Sequence, residues 1–303
     1  MGTTTDPWAG LRRRLTDAVT VLEGADKGAY PSGNSVVVQG RSETLIIDPS
    51  ITVAAKGVDQ RIDLVLNSHA HEDHIAGNGT FTDARVAVHH DDVHGVQSIE
   101  PMLDAYHLTG ERRDVFAQSL LDEFHFTPRP DAEGFGDGDV FDLGGISVEA
   151  VHLPGHTAGH SGFRIDGGVF FCSDVDLTGF GPYYGDTWSD LDQFEASIEK
   201  LRHEEADVYV TFHHKGVIEG RDDFLQRLDA FGAVIERRHT AMLDYLAEPR
   251  TVDDLVAHRF VYRPHVDGPF TENVERRTAE LHLARMLDRG EATATDDGSY
   301  VRV

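Results

Sequence analysis

The sequence predicts an α/β fold, in the sense of α and β elements packed in layers, on three observations. Short β-branched or aromatic runs recur along the chain, each bounded by Gly, Pro or polar residues. Stretches with apolar residues three and four apart lie between them. Four of the runs end directly at a residue able to ligate a metal. With 303 residues and 40% hydrophobic side chains the chain is long enough for one large domain and a small one.

The elements follow in order. Residues 36–38 and 44–47 flank Gln39-Gly40-Arg41-Ser42 and read as a hairpin. Further strands are expected at 62–66, 146–151, 169–172 and 208–212. Leu191, Phe194, Ile198 and Leu201 recur at helical spacing, with Ser189 as the expected N-cap. Phe224, Leu228, Phe231 and Ile235 repeat that pattern. Residues 91–131 read as a polar, mostly helical insertion. We expect a catalytic domain over 1–234 and a small helical domain over 235–303, closed by a hairpin around Asp297-Gly298.

Charge narrows the function classes. Against 27 basic residues stand 53 acidic ones, a formal net charge of −26. Such a surface repels polyanions, so nucleic acid is not an expected partner and a small-molecule substrate is. No apolar run reaches bilayer length, so no membrane association is expected, and no apolar stretch of the secretory kind follows Arg12-Arg13-Arg14. The single cysteine, Cys172, allows no internal disulfide and fits a reducing cytoplasm. A homodimer is compatible with all of this.

The decisive segment is Asn67-Ser68-His69-Ala70-His71-Glu72-Asp73-His74, which follows the strand at 62–66. His69 and His71 are two apart and point one way in extended or turn structure, while Asp73 and His74 reach a neighbouring point. Imidazole and carboxylate suit zinc, iron or manganese. His156 follows the strand at 146–151, Asp174 follows 169–172, and His213-His214 follow 208–212. Glu72 reads as a solvated helix residue, and His89-His90-Asp91-Asp92 as an exposed polar helix start. His160 reads as a support for a ligand loop, and Cys172 as core. Asp48 reads either as a contact to a ligand histidine or as a turn residue. The aromatic, Gly-rich loop Phe180–Asp186 reads either as pocket lining or as a surface turn.

His69-Ala-His-Glu-Asp-His74 and Pro154-Gly-His-Thr-Ala-Gly-His160, with Ser173-Asp174, resemble the motifs of the metallo-β-lactamase superfamily in the family's order, over about residues 30 to 220. That resemblance implies an αββα sandwich holding two divalent metal ions, with zinc expected and iron or manganese compatible. It implies that His69, His71 and His156 hold one ion, that Asp73, His74 and a last histidine hold the other, and that Asp174 bridges them. His214 is preferred as that last ligand for the Lys215-Gly216 that follows it, with His213 as the alternative. Two ions in such a site share an activated water, which Asp73 or Asp174 orients as the catalytic carboxylate. The expected activity is hydrolysis of a small ester, thioester or phosphodiester. An endoribonuclease and a non-enzymatic ligand-binding regulator are the alternatives. The tail is similar to the small winged-helix-like domain of some members, but its 10 Arg against 13 acidic residues give no basic surface.

Overall fold

Val36, Val38, Leu45 and Ile47 are buried on one side of their strands, and Val37 and Ile46 are buried on the other. Successive strand side chains point to opposite faces, so a strand buried on both must lie inside a sandwich. The structure, a computed structural model, describes residues 6–303 and has that architecture. One sheet has seven strands in chain order: β1 (Arg12–Arg14), β2 (Val19–Leu22), β3 (Ser35–Gln39), β4 (Thr44–Ile47), β5 (Leu64–Leu66), β6 (Arg85–His89) and β7 (Glu133–Phe135). It is antiparallel up to β4 and parallel beyond it. The other has six: β8 (Val140–Asp142), β9 (Ser147–His152), β10 (Ser161–Ile165), β11 (Val169–Ser173), β12 (Val208–Thr211) and β13 (Val217–Glu219). Only its β11–β12 pair is parallel.

Helices supply the outer layers. After a single turn, α1 (Ala25–Gly28), come α2 (Ile51–Lys56), α3 (Val93–Gln97), α4 (Glu100–Ala105) and α5 (Gly110–Asp122). These four pack Val53, Val96, Met102, Phe116 and Leu120 against Val37, Ile46 and Val65. The helical insertion expected at 91–131 is therefore part of the layer that covers the first sheet. On the far side, α6 (Leu191–Leu201) and α7 (Arg221–Tyr245) bury Phe194, Ile198, Phe224, Leu228, Phe231 and Ile235 against Phe170, Cys172 and Tyr209. Between the sheets Val36, Val38 and Leu66 meet Phe163, Phe171, Val210 and Phe212. Side chains of this size each contribute about 1.5–3 kcal/mol when fully buried.

Two expectations change in detail. Asp190, not Ser189, caps α6, its side chain accepting the Gln193 N–H at 2.8 Å. Ser189 is drawn away because its hydroxyl donates to the His156 carbonyl at 2.8 Å. The division expected after residue 234 falls inside α7, which runs unbroken to Tyr245. Beyond it, α8 (Val252–His258), α9 (Thr271–Asp288) and the hairpin of β14 (Ala292–Ala294) with β15 (Tyr300–Arg302) enclose a small core of Met242, Leu246, Leu255, Leu283 and Met286. Among the described residues no helix is long and apolar enough to cross a membrane.

Candidate metal centre

The C-terminal ends of β5, β9, β11 and β12 converge on one edge of the sandwich, and each releases the chain into a loop carrying an imidazole or a carboxylate. Rigid strands thereby aim side chains from four distant segments at one volume. One cluster is His69, His71, His156 and Asp174, and beside it lie Asp73, His74 and His213. His69 Nε2 is 3.0 Å from His71 Nδ1 and 3.1 Å from His156 Nε2, and His156 Nε2 is 3.3 Å from Asp174 Oδ2. The other oxygen of Asp174 is 3.0 Å from His74 Nε2, and His213 Nε2 is 3.0 Å from Asp73 Oδ2. One carboxylate therefore spans the two clusters.

The opposite ring nitrogens set the tautomers. His71 Nε2 donates to Asp186 Oδ2 at 2.8 Å, and His74 Nδ1 to Asp48 Oδ2 at 2.8 Å. His156 Nδ1 donates to the Tyr183 carbonyl at 3.0 Å, and His213 Nδ1 to the carbonyls of Gly28 and Ser32, both at 3.0 Å. Ser68 Oγ donates to Asp48 Oδ2 at 2.6 Å, so it accepts from His69 Nδ1 at 3.0 Å. Each acceptor takes the hydrogen on the outer nitrogen and leaves the inner one as a lone pair facing the centre.

Whether these donors fit a pair of cations is decided by the atoms left over. Asp73 Oδ2, His74 Nε2 and Asp174 Oδ1 are buried and make no well-directed hydrogen bond, although oppositely charged groups stand 3.0 Å away. Buried polar atoms without partners are costly, and these three face one another. Ligand bonds of about 2.0–2.1 Å place tetrahedral donors roughly 3.3 Å apart, close to the spacing within the first cluster. Imidazole and carboxylate donors of this kind suit divalent zinc, iron or manganese. His69, His71, His156 and Asp174 would hold one ion, and Asp73, His74, His213 and Asp174 the other.

Protonation follows the same charge pattern. Burial opposes a charge on His71, but the hydrogen bond and charge of Asp186 prevail and push it up to about 9. His213, also resisted by burial, is pushed up to about 9 by Asp174 and Asp73. Burial would lift Asp174, yet the charges of His74 and His213 hold it well below the ordinary carboxylate range. The carboxylates thus demand positive charge, which protons supply without metal and surrender to it.

The structure brings His213, not the preferred His214, to the second cluster. His213 is 7% exposed and sits in the second cluster, whereas His214, next along the chain, is exposed at the cavity rim. His214 adopts φ 48°, a left-handed turn that carries its side chain out of the cluster while the carbonyls of Gly28 and Ser32 anchor His213. Two further expectations fail because burial comes from distant partners. Glu72 is 2% exposed and accepts from Tyr30 Oη at 3.0 Å and Tyr106 Oη at 3.2 Å. Asp92 is 1% exposed and accepts from Thr157 Oγ1 at 2.6 Å, Gly159 N at 2.8 Å and Ala70 N at 3.3 Å, tying the two motif loops together. His89 of the same run is buried as well and stacks on His152 with ring planes 9° apart, and parallel rings do not aim lone pairs at a common ion.

Other supports stand as expected. Asp48 is fully buried and receives Ser68 N–H at 2.7 Å as well as His74. His160 donates to the Leu153 carbonyl at 2.8 Å and accepts from Asp174 N at 3.3 Å, which steadies the spanning aspartate. Gly155 has φ 121°, and a Cβ there would lie 2.2 Å from Phe194 N, so only glycine lets the His156 loop approach α6. Cys172 is core. Sequence reasoning missed Asp186, whose only signal was its place in the aromatic loop after Asp174.

The sequence profile of the metallo-beta-lactamase superfamily matches residues 30–215, more than half of the chain. The chain belongs to that superfamily. Among solved structures, a metallo-beta-lactamase family protein from Thermus thermophilus aligns with TM-score 0.71 at 20% identity, covering 96% of this chain and all of its own. A beta-lactamase domain protein from Burkholderia ambifaria aligns with TM-score 0.70 at 18% identity, covering 99% of this chain and 96% of its own. These likenesses show a shared fold. Among curated relatives, a hydroxyacylglutathione hydrolase of Aeromonas hydrophila is 25% identical over 174 residues, 54% of each chain. Its counterpart in Aeromonas salmonicida is 24% identical over 47% of this chain and 46% of its own. The chain thus spans about half the length of these relatives. An uncharacterized protein of Mycobacterium tuberculosis is 32% identical over 50% of this chain and 70% of its own.

Proposed function

We propose that this chain is a binuclear metallohydrolase that cleaves small carbonyl esters or thioesters, with zinc as the resident ion. The observation that carries the reading is Asp174, one carboxylate spanning two clusters of tautomer-fixed imidazoles at the floor of a cavity of about 440 Å³. Bound there, two divalent ions would polarise a scissile carbonyl and make water nucleophilic near neutral pH. The chain's own residues do the rest. Asp73 orients the attacking water and accepts its proton through the carboxylate oxygen it would not give to the ion. Tyr183 Oη is buried without a hydrogen-bond partner, its ring 5.6 Å from that of His156, and is the donor available to the acyl oxygen. The cavity itself accommodates a small molecule. The names of the curated relatives, hydroxyacylglutathione hydrolases, support the carbonyl class over the phosphodiester class.

The test is elemental analysis of purified protein together with a substrate panel of thioesters, aryl esters, lactones and bis(p-nitrophenyl) phosphate. We expect near two metals per chain, turnover of an ester or thioester, and loss of that turnover in His69→Ala and Asp174→Ala. Failure to take up metal on reconstitution would overturn the reading, and turnover of the phosphodiester alone would move it to that class.

A further inference from the structure

The cavity above the metal centre has a composition that neither the ligands nor the fold requires. Its outer wall is aromatic: Tyr106 from the end of α4, Phe180 from the loop after β11, and Tyr262 and Phe270 from the segment between α8 and α9. Beyond Asp73 and Asp174 it carries three more carboxylates, Glu72, Asp176 and Asp267, and among the described residues no lysine or arginine lines it.

This wall is built rather than loosely draped. Glu275 of α9, 1% exposed, accepts from the backbone N–H groups of Phe260 at 2.9 Å, Val261 at 3.1 Å and Tyr262 at 2.7 Å. Those bonds fix where Tyr262 enters the cavity. The Phe270 ring packs 5.3 Å from Tyr106 and 6.0 Å from Phe116, which joins the C-terminal segment to the α4–α5 layer. The guanidinium behind this wall and two of its hydroxyls are already committed. Arg238 lies behind the wall, donating to the carbonyls of Pro182 and Phe180, with its guanidinium 5.3 Å from the Phe180 ring. Tyr30 and Tyr106 both spend their hydroxyl hydrogens on Glu72.

An anionic group entering this space would lose water among aromatic faces, beside carboxylates and without a counterion, which is unfavourable. On the hydrolytic reading the metal charge would act at the floor, on the acyl carbonyl, and the leaving group would lie farther out, against the rings. We propose that the cavity selects acyl compounds whose leaving group is uncharged and apolar, and discriminates against anionic carriers such as glutathione or a phosphate-bearing thiol. The C-terminal segment bearing Tyr262 and Phe270 is the specificity-determining wall. For what is done to the ligand this rests on the hydrolytic reading above; for what is bound it rests on the cavity alone.

Two measurements separate these layers. The first is calorimetric binding of two uncleavable thioethers, S-hexyl-N-acetylcysteamine and S-hexylglutathione, to the full chain loaded with zinc. We expect the neutral thioether to bind at least about tenfold more tightly. Tyr262→Arg should narrow that ratio several-fold by giving the glutathione carboxylates a partner. The second is the ratio of kcat/KM for the phenylacetyl thioesters of the same two thiols, with the same preference expected. Equal or tighter binding of the glutathione compound, or no binding of either thioether at millimolar concentration, overturns the proposed selectivity. If the binding preference holds and neither thioester is cleaved, the selectivity stands and the hydrolase reading fails. If the glutathione thioester is cleaved preferentially, the hydrolase reading stands and the selectivity fails.

Discussion

Replacing Asp48 with asparagine tests how the centre is held together. Asp48 follows β4 with φ 46°, and its Oδ1 accepts Ser68 N–H at 2.7 Å. Its Oδ2 receives Ser68 Oγ–H at 2.6 Å and His74 Nδ1–H at 2.8 Å. Asparagine keeps the shape and tolerates a left-handed backbone, so strain is not introduced. It has one acceptor where the carboxylate has two, so an NH₂ group must confront a donor whichever way the amide turns. A hydrogen bond to a charged group is worth about 1.5–3 kcal/mol. Burial lifts the Asp48 carboxyl above its ordinary range against the pull of His74 and Ser68, and asparagine relieves that desolvation. The net loss of stability therefore belongs at the lower end, about 1.5 kcal/mol. The larger effect falls on the metal. Without Oδ2, nothing holds the His74 hydrogen on Nδ1, and the Nε2 lone pair is no longer secured. Affinity for the second ion should fall about 10–100-fold. Urea unfolding of chelated protein measures the first quantity, and competition with a chromophoric chelator measures the second. Second-ion affinity within about twofold of wild type would refute the claim that Asp48 sets the His74 tautomer.

The remaining predictions concern the corrected ligand and the acid limb of stability. His213→Ala should leave about one metal per chain and His214→Ala about two; elemental analysis decides, and the reverse outcome would restore His214. His160 is fully buried, and burial, with the charge of His156, lowers it from 6.5 to about 3. Because the folded state resists protonation that the unfolded state accepts, this group's contribution is intact above pH 6.5 and is lost as pH falls below it. His160→Gln preserves a donor and an acceptor without titrating. Its unfolding free energy should fall less steeply below pH 6.5, by about 1.4 kcal/mol per pH unit, as read by denaturant melts of chelated protein at pH 5 to 7. Parallel curves for the two proteins would remove His160 from the account.

Much of this protein is legible in the sequence because it depends on local periodicity and on residues placed at strand ends. The β-rich runs at 36–38 and 44–47 around their Gly-containing turn announced a hairpin, and the three- and four-residue spacing in 191–201 and 224–235 announced the covering helices. Strand ends carry ligands because backbone direction and the period of two fix where the next side chain points. So His69, His71, Asp73, His74, His156 and Asp174 could be named as candidates from the sequence, and the fold gathers them into two adjoining clusters. What the tertiary structure alone decided is what depends on partners far along the chain. His213 outranks its neighbour because the carbonyls of Gly28 and Ser32, more than 180 residues earlier, take its outer nitrogen hydrogen. Glu72 and Asp92 look like solvated charges until Tyr30 and Tyr106, or Thr157 and Gly159, close over them. The cavity's aromatic wall is assembled from α4, the loop after β11 and the C-terminal segment, and no spacing rule relates those three. The burial and pairing of a polar group are properties of the folded environment, and a linear pattern encodes only the group itself.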